Sequence, residues 1–128
     1  MTAVLVDTSV WRHFFAGTIA RPSAQALSAL LDQDETIFCH PAVIGELVLG
    51  GLSKREEALM SRLPRVAEVT SHEVLALIRT HKLARKGIGW VDCQLLGGAL
   101  LQSCRLWSLD RALASAAATL AVDYVEPS

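Results

Sequence analysis

The stretch AVLVDTSVWRHFFA (3–16) decides the fold. Ala3 to Val6 is a short apolar run with β character, and it stops at Asp7. From Thr8 to Ala16 the pattern is helical, and Gly17 breaks it. A strand that ends on an acid and turns at once into a helix is the opening unit of a parallel α/β sheet. The same grammar returns near the other end, where Arg105 to Leu109 reads as a strand, Asp110 follows, and Arg111 to Leu120 forms an Ala-rich helix.

Between these two units the alternation continues. Pro22 opens a helix through Leu31, and Thr36 to Cys39 is the next strand. Pro41 starts an unusually apolar helix that ends at Leu49 before Gly50 and Gly51. Ser53 and Glu56 form a capping box for a helix reaching Leu63. Val66 to Val69 reads as a third strand, and Thr70 with Glu73 caps a helix running to about Lys86. A helix from Cys93 to Ser103 precedes the strand at 105–109, and Val122 to Val125 is the fifth strand. The expected architecture is one α/β domain over 1–128. It has three layers, α/β/α, around a central parallel sheet of about five strands with right-handed crossovers.

Composition bounds what such a domain can do. The chain has 128 residues, 52% hydrophobic and 20% charged, which suits one core and excludes a disordered tail. Twelve Lys plus Arg against thirteen Asp plus Glu give a net charge of -1, so nucleic acid would have to be held by a local patch. Cys39, Cys93 and Cys104 have no metal-ligand spacing and read as buried hydrophobes in a reducing compartment. The opening MTAVLVDTS has no basic n-region, and the longest clean apolar run, Leu95 to Leu101, is far short of a membrane span. The expected location is cytoplasmic.

Four acids carry the chemistry. In open parallel sheets ligands sit beyond the carboxyl ends of the strands, where Asp7 and Asp110 fall. Asp92 opens the helix leading into the fourth strand, and Glu46 lies among Val43, Ile44, Leu47, Val48 and Leu49 with no basic residue three or four positions away. Each Asp taken alone also reads as an ordinary N-cap. Glu46 is either on a narrow polar stripe or held in a partly buried site, where an unpaired charge is expensive. If the four meet, their repulsion calls for a divalent cation, and all-oxygen ligation favours Mg²⁺ or Mn²⁺ over Zn²⁺.

The segments VLVDTSVW (4–11), Glu46 in its apolar helix, GIGWVDCQLL (87–96) and LWSLDRAL (106–113) together resemble a PIN domain, and more narrowly the VapC-type toxins of prokaryotic toxin–antitoxin pairs. The resemblance spans essentially the whole chain and keeps the order of all four acids. It implies a Mg²⁺- or Mn²⁺-dependent endoribonuclease held inactive by a cognate antitoxin, with Asp7, Glu46, Asp92 and Asp110 as catalytic metal ligands. Ser9 and Ser108 match supporting polar positions, which equally fit capping or turn hydroxyls. It further implies a homodimer, a structured RNA substrate such as tRNA, and in-line attack of water that leaves a 5′-phosphate and a 3′-hydroxyl. Cys93, Gln94 and the pair Gly97-Gly98 depart from the family pattern, and the glycines are expected to loosen their helix.

Arg79, Lys82, Arg85 and Lys86 form the local basic patch, with Arg79, Lys82 and Lys86 expected on one helix face. It is either a solvated outer face or a contact for RNA phosphates. His13, His40, His72 and His81 form no ligand pattern and receive no catalytic role. Trp11, Phe14 and Phe15 on the first helix pack into the core or, with the second helix, offer apolar surface to the antitoxin or a second copy. Asp123 is a possible extra acid, with plain surface placement as its alternative. Two rival readings are a catalytically inactive PIN-fold binding module and a phosphoacceptor receiver domain. The receiver is poorly supported, because Asp7 lacks an adjacent acid, Val69 is followed by Thr70 and Ser71, and no lysine follows Lys86.

Overall fold

A computed structural model of the chain describes residues 3–33 and 36–127. Its elements run β1 (Val4–Val6), α1 (Thr8–Ala16), α2 (Arg21–Leu31), β2 (Ile37–Phe38), α3 (Pro41–Leu49), α4 (Lys54–Ser61), α5 (Ser71–Thr80), α6 (Trp90–Gln102), β3 (Arg105–Trp107) and α7 (Arg111–Thr119). The strands form a parallel sheet in the order β2-β1-β3. β1 pairs Val4 with Ile37 on one side, and Val4, Leu5 and Val6 with Arg105, Leu106 and Trp107 on the other. Val4, Leu5 and Val6 are all buried. Successive side chains on a strand point to opposite faces, so this burial requires cover on both sides of the sheet.

Among the described residues the sheet has three strands, where five were expected. In place of the strand expected at 66–69 there is one parallel bridge just before it, Cys39 with Arg65. Pro64 brings only its carbonyl, which accepts from the Cys39 N–H, and pairing stops once the Val66 N–H has donated to Cys39 O. Val66 and Val69 instead pack on α6, where a Cβ added at Gly98 or Gly97 would meet their methyl groups at 3.4 and 3.2 Å. The glycine pair therefore lets another segment approach closely, and α6 runs unbroken through it. The segment expected at 122–125 is likewise one bridge, Leu106 with Asp123, entered through Ala121 in the left-handed region (φ 58).

A second correction concerns the helix expected to reach Lys86. α5 ends at Thr80, and Lys82 (φ 53) and Arg85 (φ 63) adopt left-handed conformations beyond it. Leu83 is buried and its N–H donates to Ile78 O, so the chain folds back to bury a leucine. Arg79, Lys82 and Lys86 consequently do not share a helical face. Among the described residues no helix is long and apolar enough to cross a membrane.

Candidate active site

β1 is the central strand, and the sheet grows from it in both directions, so the crevice beyond the carboxyl ends of β1 and β3 is the topological switch point. Asp7 follows β1 directly, and its N–H donates to Trp107 O at 2.9 Å, which locks the two strand ends together. Asp7 is buried at 5% exposure, yet its side chain caps nothing in α1. Its Oδ2 accepts from Ser9 Oγ at 2.7 Å and from Ser108 Oγ at 2.8 Å. Each serine also takes a backbone proton, Ser9 Oγ from Leu109 N–H and Ser108 Oγ from Asp110 N–H. Both hydroxyl protons thus go to one carboxylate oxygen, and both hydroxyl oxygens hold the turn that leads into α7.

The other acids are anchored with the same economy. Glu46, half-buried on α3, accepts from Thr8 Oγ1 at 2.7 Å through Oε1. Asp92 Oδ2 accepts from Gly89 N–H at 2.9 Å, and Asp110 Oδ1 caps α7 by accepting from Leu113 N–H at 3.0 Å. The N-cap alternative holds for Asp110, whereas Asp92 stands at the third position of α6, which begins at Trp90 rather than Cys93 and has Gly89 as its N-cap; each bond occupies one carboxylate oxygen. Among the described residues Asp7 Oδ1, Glu46 Oε2, Asp92 Oδ1 and Asp110 Oδ2 accept no hydrogen bond.

Electrostatics ties the four together. Burial raises the Asp92 carboxyl above its ordinary pKa, the Gly89 amide partly offsets this, and the charges of Asp7, Asp110 and Glu46 raise it further. The charges that raise Asp92 are all carboxylates. A divalent cation is the simplest way to offset their mutual repulsion. Among the described residues no three His, Cys, Asp or Glu side chains close on a point as a ready cage. The donor set nonetheless suits Mg²⁺ or Mn²⁺, because Mg²⁺ commonly takes one or two carboxylates directly and keeps several waters. Asp123 faces Leu106 on the sheet edge and is absent from the charges acting on Asp92.

Two residues take positioning roles that the sequence reading did not give them. Thr8 orients Glu46, and the signal available was its position beside Asp7 at the end of an apolar run. His40 is buried and caps α3, the helix that carries Glu46, with Nδ1 accepting from Ala42 N–H at 3.0 Å. Desolvation lowers its pKa, with Glu68 opposing. Arg79, Lys82, Arg85 and Lys86 are all exposed. Trp11 is buried and stacks on Phe15 with ring centroids 5.6 Å apart, while Phe14 and Phe15 remain half-buried.

A family model described as PIN domain matches residues 4–119. The chain is a member of the PIN domain family. As a PIN protein it is 40% identical over 126 residues to "Ribonuclease VapC32" of Mycobacterium tuberculosis, covering 96% of this chain and 97% of that one. Solved structures share the PIN fold at low identity. The structure titled FitAcB from Neisseria gonorrhoeae has a TM-score of 0.62 at 19% identity, covering 90% of this chain and 93% of that one. A toxin-antitoxin complex from Klebsiella pneumoniae has a TM-score of 0.60 at 19% identity, covering 83% and 85%.

Proposed function

We propose that this PIN protein is a divalent-metal-dependent endoribonuclease, the toxin of a toxin–antitoxin pair. The observation that carries the reading is at the switch point, where among the described residues one oxygen of each of the four carboxylates accepts no hydrogen bond and Asp92 feels the charge of the other three. The likeness to a ribonuclease along nearly its whole length supports the substrate class.

Asp7, Glu46, Asp92 and Asp110 would hold Mg²⁺ or Mn²⁺. When bound, such an ion supplies the charge that lowers the pKa of a coordinated water and offsets charge developing on a phosphodiester. The chain's own residues fix where this happens. Ser9 and Ser108 hold Asp7 and the start of α7 in one arrangement, and Thr8 aims Glu46. Gly89 orients Asp92 from the backbone. Arg79, Lys82, Arg85 and Lys86 attract the RNA backbone toward a pocket that would otherwise repel it. Hydrolysis in line leaves a 5′-phosphate and a 3′-hydroxyl.

The toxin role brings a cognate antitoxin, a homodimer within the complex, and a cytoplasmic setting. A groove lined by Arg12, Phe15, Leu47 and Leu52 beside α1 supports a covering partner, as does the exposure of Leu49 at 90%. The deciding experiment adds Mn²⁺ to the purified protein and to Asp7→Asn with single-stranded and structured RNA. Cleavage by the wild type alone supports the enzyme. Binding without cleavage by either supports the inactive binding module.

A further inference from the structure

Two lysines of the basic patch, Lys82 and Lys86, line a pocket that includes none of the four acids. The loop after α5 forms one wall with His81, Lys82 and Lys86, and α7 forms the other with Ser115 and Thr119, over a floor that includes Leu83 and Ala116. No carboxylate lines it. On α7, Ser115, Ala116 and Thr119 follow helical spacing and lie on one face. The Thr119 hydroxyl is already committed to Ser115 O at 3.1 Å, which leaves Ser115 Oγ, the two lysines and the His81 ring as the donors lining the pocket.

Both walls lead to the active site. α7 is capped at its start by Asp110. The loop passes from Lys86 through Gly87, where a Cβ would stand 3.7 Å from that of Ala112, to Gly89, whose N–H holds Asp92. Lys86 lies three residues before Gly89, which puts its backbone within about 10 Å of the Asp92 anchor by chain reach. The loop is also fixed, since Leu83 is buried and Lys82, Arg85 and Gly87 hold positive φ values. Lysines beside a hydroxyl, on a loop that leads directly to the Asp92 anchor, suit a phosphate.

We propose that this pocket seats a backbone phosphate of the RNA flanking the one that is cut, with Lys82, Lys86 and Ser115 as its donors. The inference rests on the ribonuclease reading and sharpens it. Contacts of this kind set register without reading sequence. They place the scissile phosphate over the four carboxylates, which alone would repel it.

The test is steady-state cleavage of a single-stranded RNA in Mn²⁺ by wild type, Ser115→Glu, the double variant Lys82→Gln/Lys86→Gln, and Lys54→Gln, an exposed basic residue outside the pocket. Binding is measured in parallel across salt concentrations with Asp7→Asn as the non-cleaving background. Ser115→Glu is expected to raise KM about tenfold with kcat little changed, the pattern of lost ground-state binding. The double variant should flatten the log–log salt slope by about 0.7, one single-stranded phosphate contact's worth, and Lys54→Gln should leave it alone. In wild type, one neutral methylphosphonate placed along the RNA should weaken binding at a single flanking position, and the double variant should lose that sensitivity. Equal effects from Lys54→Gln, or a wild-type KM in Ser115→Glu, would overturn the pocket while leaving the ribonuclease standing. Absence of wild-type cleavage would overturn both, and circular dichroism separates either from misfolding.

Discussion

Replacing Ser108 with alanine tests how the site is held. The substitution deletes the 2.8 Å bond to Asp7 Oδ2 and the acceptor for Asp110 N–H. Asp7 is 5% exposed, so water replaces the lost donor poorly. A hydrogen bond to a charged group contributes about 1.5–3 kcal/mol, and the Asp110 amide, on an exposed residue, rehydrates at roughly 0.5 kcal/mol. The expected loss is about 2–3.5 kcal/mol. For a chain of this size about 4 °C accompanies each kcal/mol, so Tm in metal-free buffer should fall by roughly 8–14 °C. Ser9→Ala should behave alike, because its hydroxyl makes the 2.7 Å bond to the same oxygen. The double variant leaves that oxygen without either hydroxyl donor, so the pair should couple by more than about 0.5 kcal/mol. Cleavage by Ser108→Ala should drop on the order of 10- to 100-fold, since small displacements of positioned groups are costly. Thermal unfolding and RNA cleavage on the same preparations check this. A Tm change below about 1 °C with unchanged cleavage would refute the idea that the serines fix Asp7.

Asp92→Asn should stabilise the metal-free protein at neutral pH. The folded pKa lies above the ordinary value of 3.8, so the folded state binds the proton more tightly, and stability falls as pH rises from about that value through the folded one. Asparagine keeps an acceptor for Gly89 N–H, and denaturant midpoints across pH should show a flatter acid limb, with less stabilisation by added Mn²⁺. His40 has the opposite sign, its folded pKa lying below the ordinary 6.5. Its contribution is complete above that value and is lost as pH falls through the folded one, a trend that His40→Asn should flatten in the same titration. Gly97→Leu should cost about 1–3 kcal/mol by overpacking, because even a Cβ there meets Val69 at 3.2 Å, and Val69→Ala should recover part of it in chemical denaturation.

The parallel sheet was legible because the first and last strands are short runs stopped by Asp7 and Ser108, and the four acids could be picked out as candidates because three of them lie in or next to the first turn of a helix. Asp7 shows the limit of that logic. It occupies an N-cap position, but two serines claim its side chain, one of them a hundred residues away in the chain. The outer strands at 66–69 and 122–125 were overread, since apolar composition does not reveal that pairing ends after one bridge and the valines turn onto glycines of α6. The helix from Thr70 was overextended because Lys82, Ala84, Arg85 and Lys86 all suit a helix, whereas burial of Leu83 decides otherwise. Thr8 and His40 were missed because their roles lie in contacts with α3 that spacing does not encode.

The most direct test of the central claim is end-group analysis of RNA incubated with wild type, Asp7→Asn and Glu46→Gln, with and without Mn²⁺. The account predicts Mn²⁺-dependent products bearing 5′-phosphate and 3′-hydroxyl ends from the wild type, reduced at least about 100-fold in either variant. Cleavage that persists in both variants, or products ending in a 2′,3′-cyclic phosphate, would contradict it.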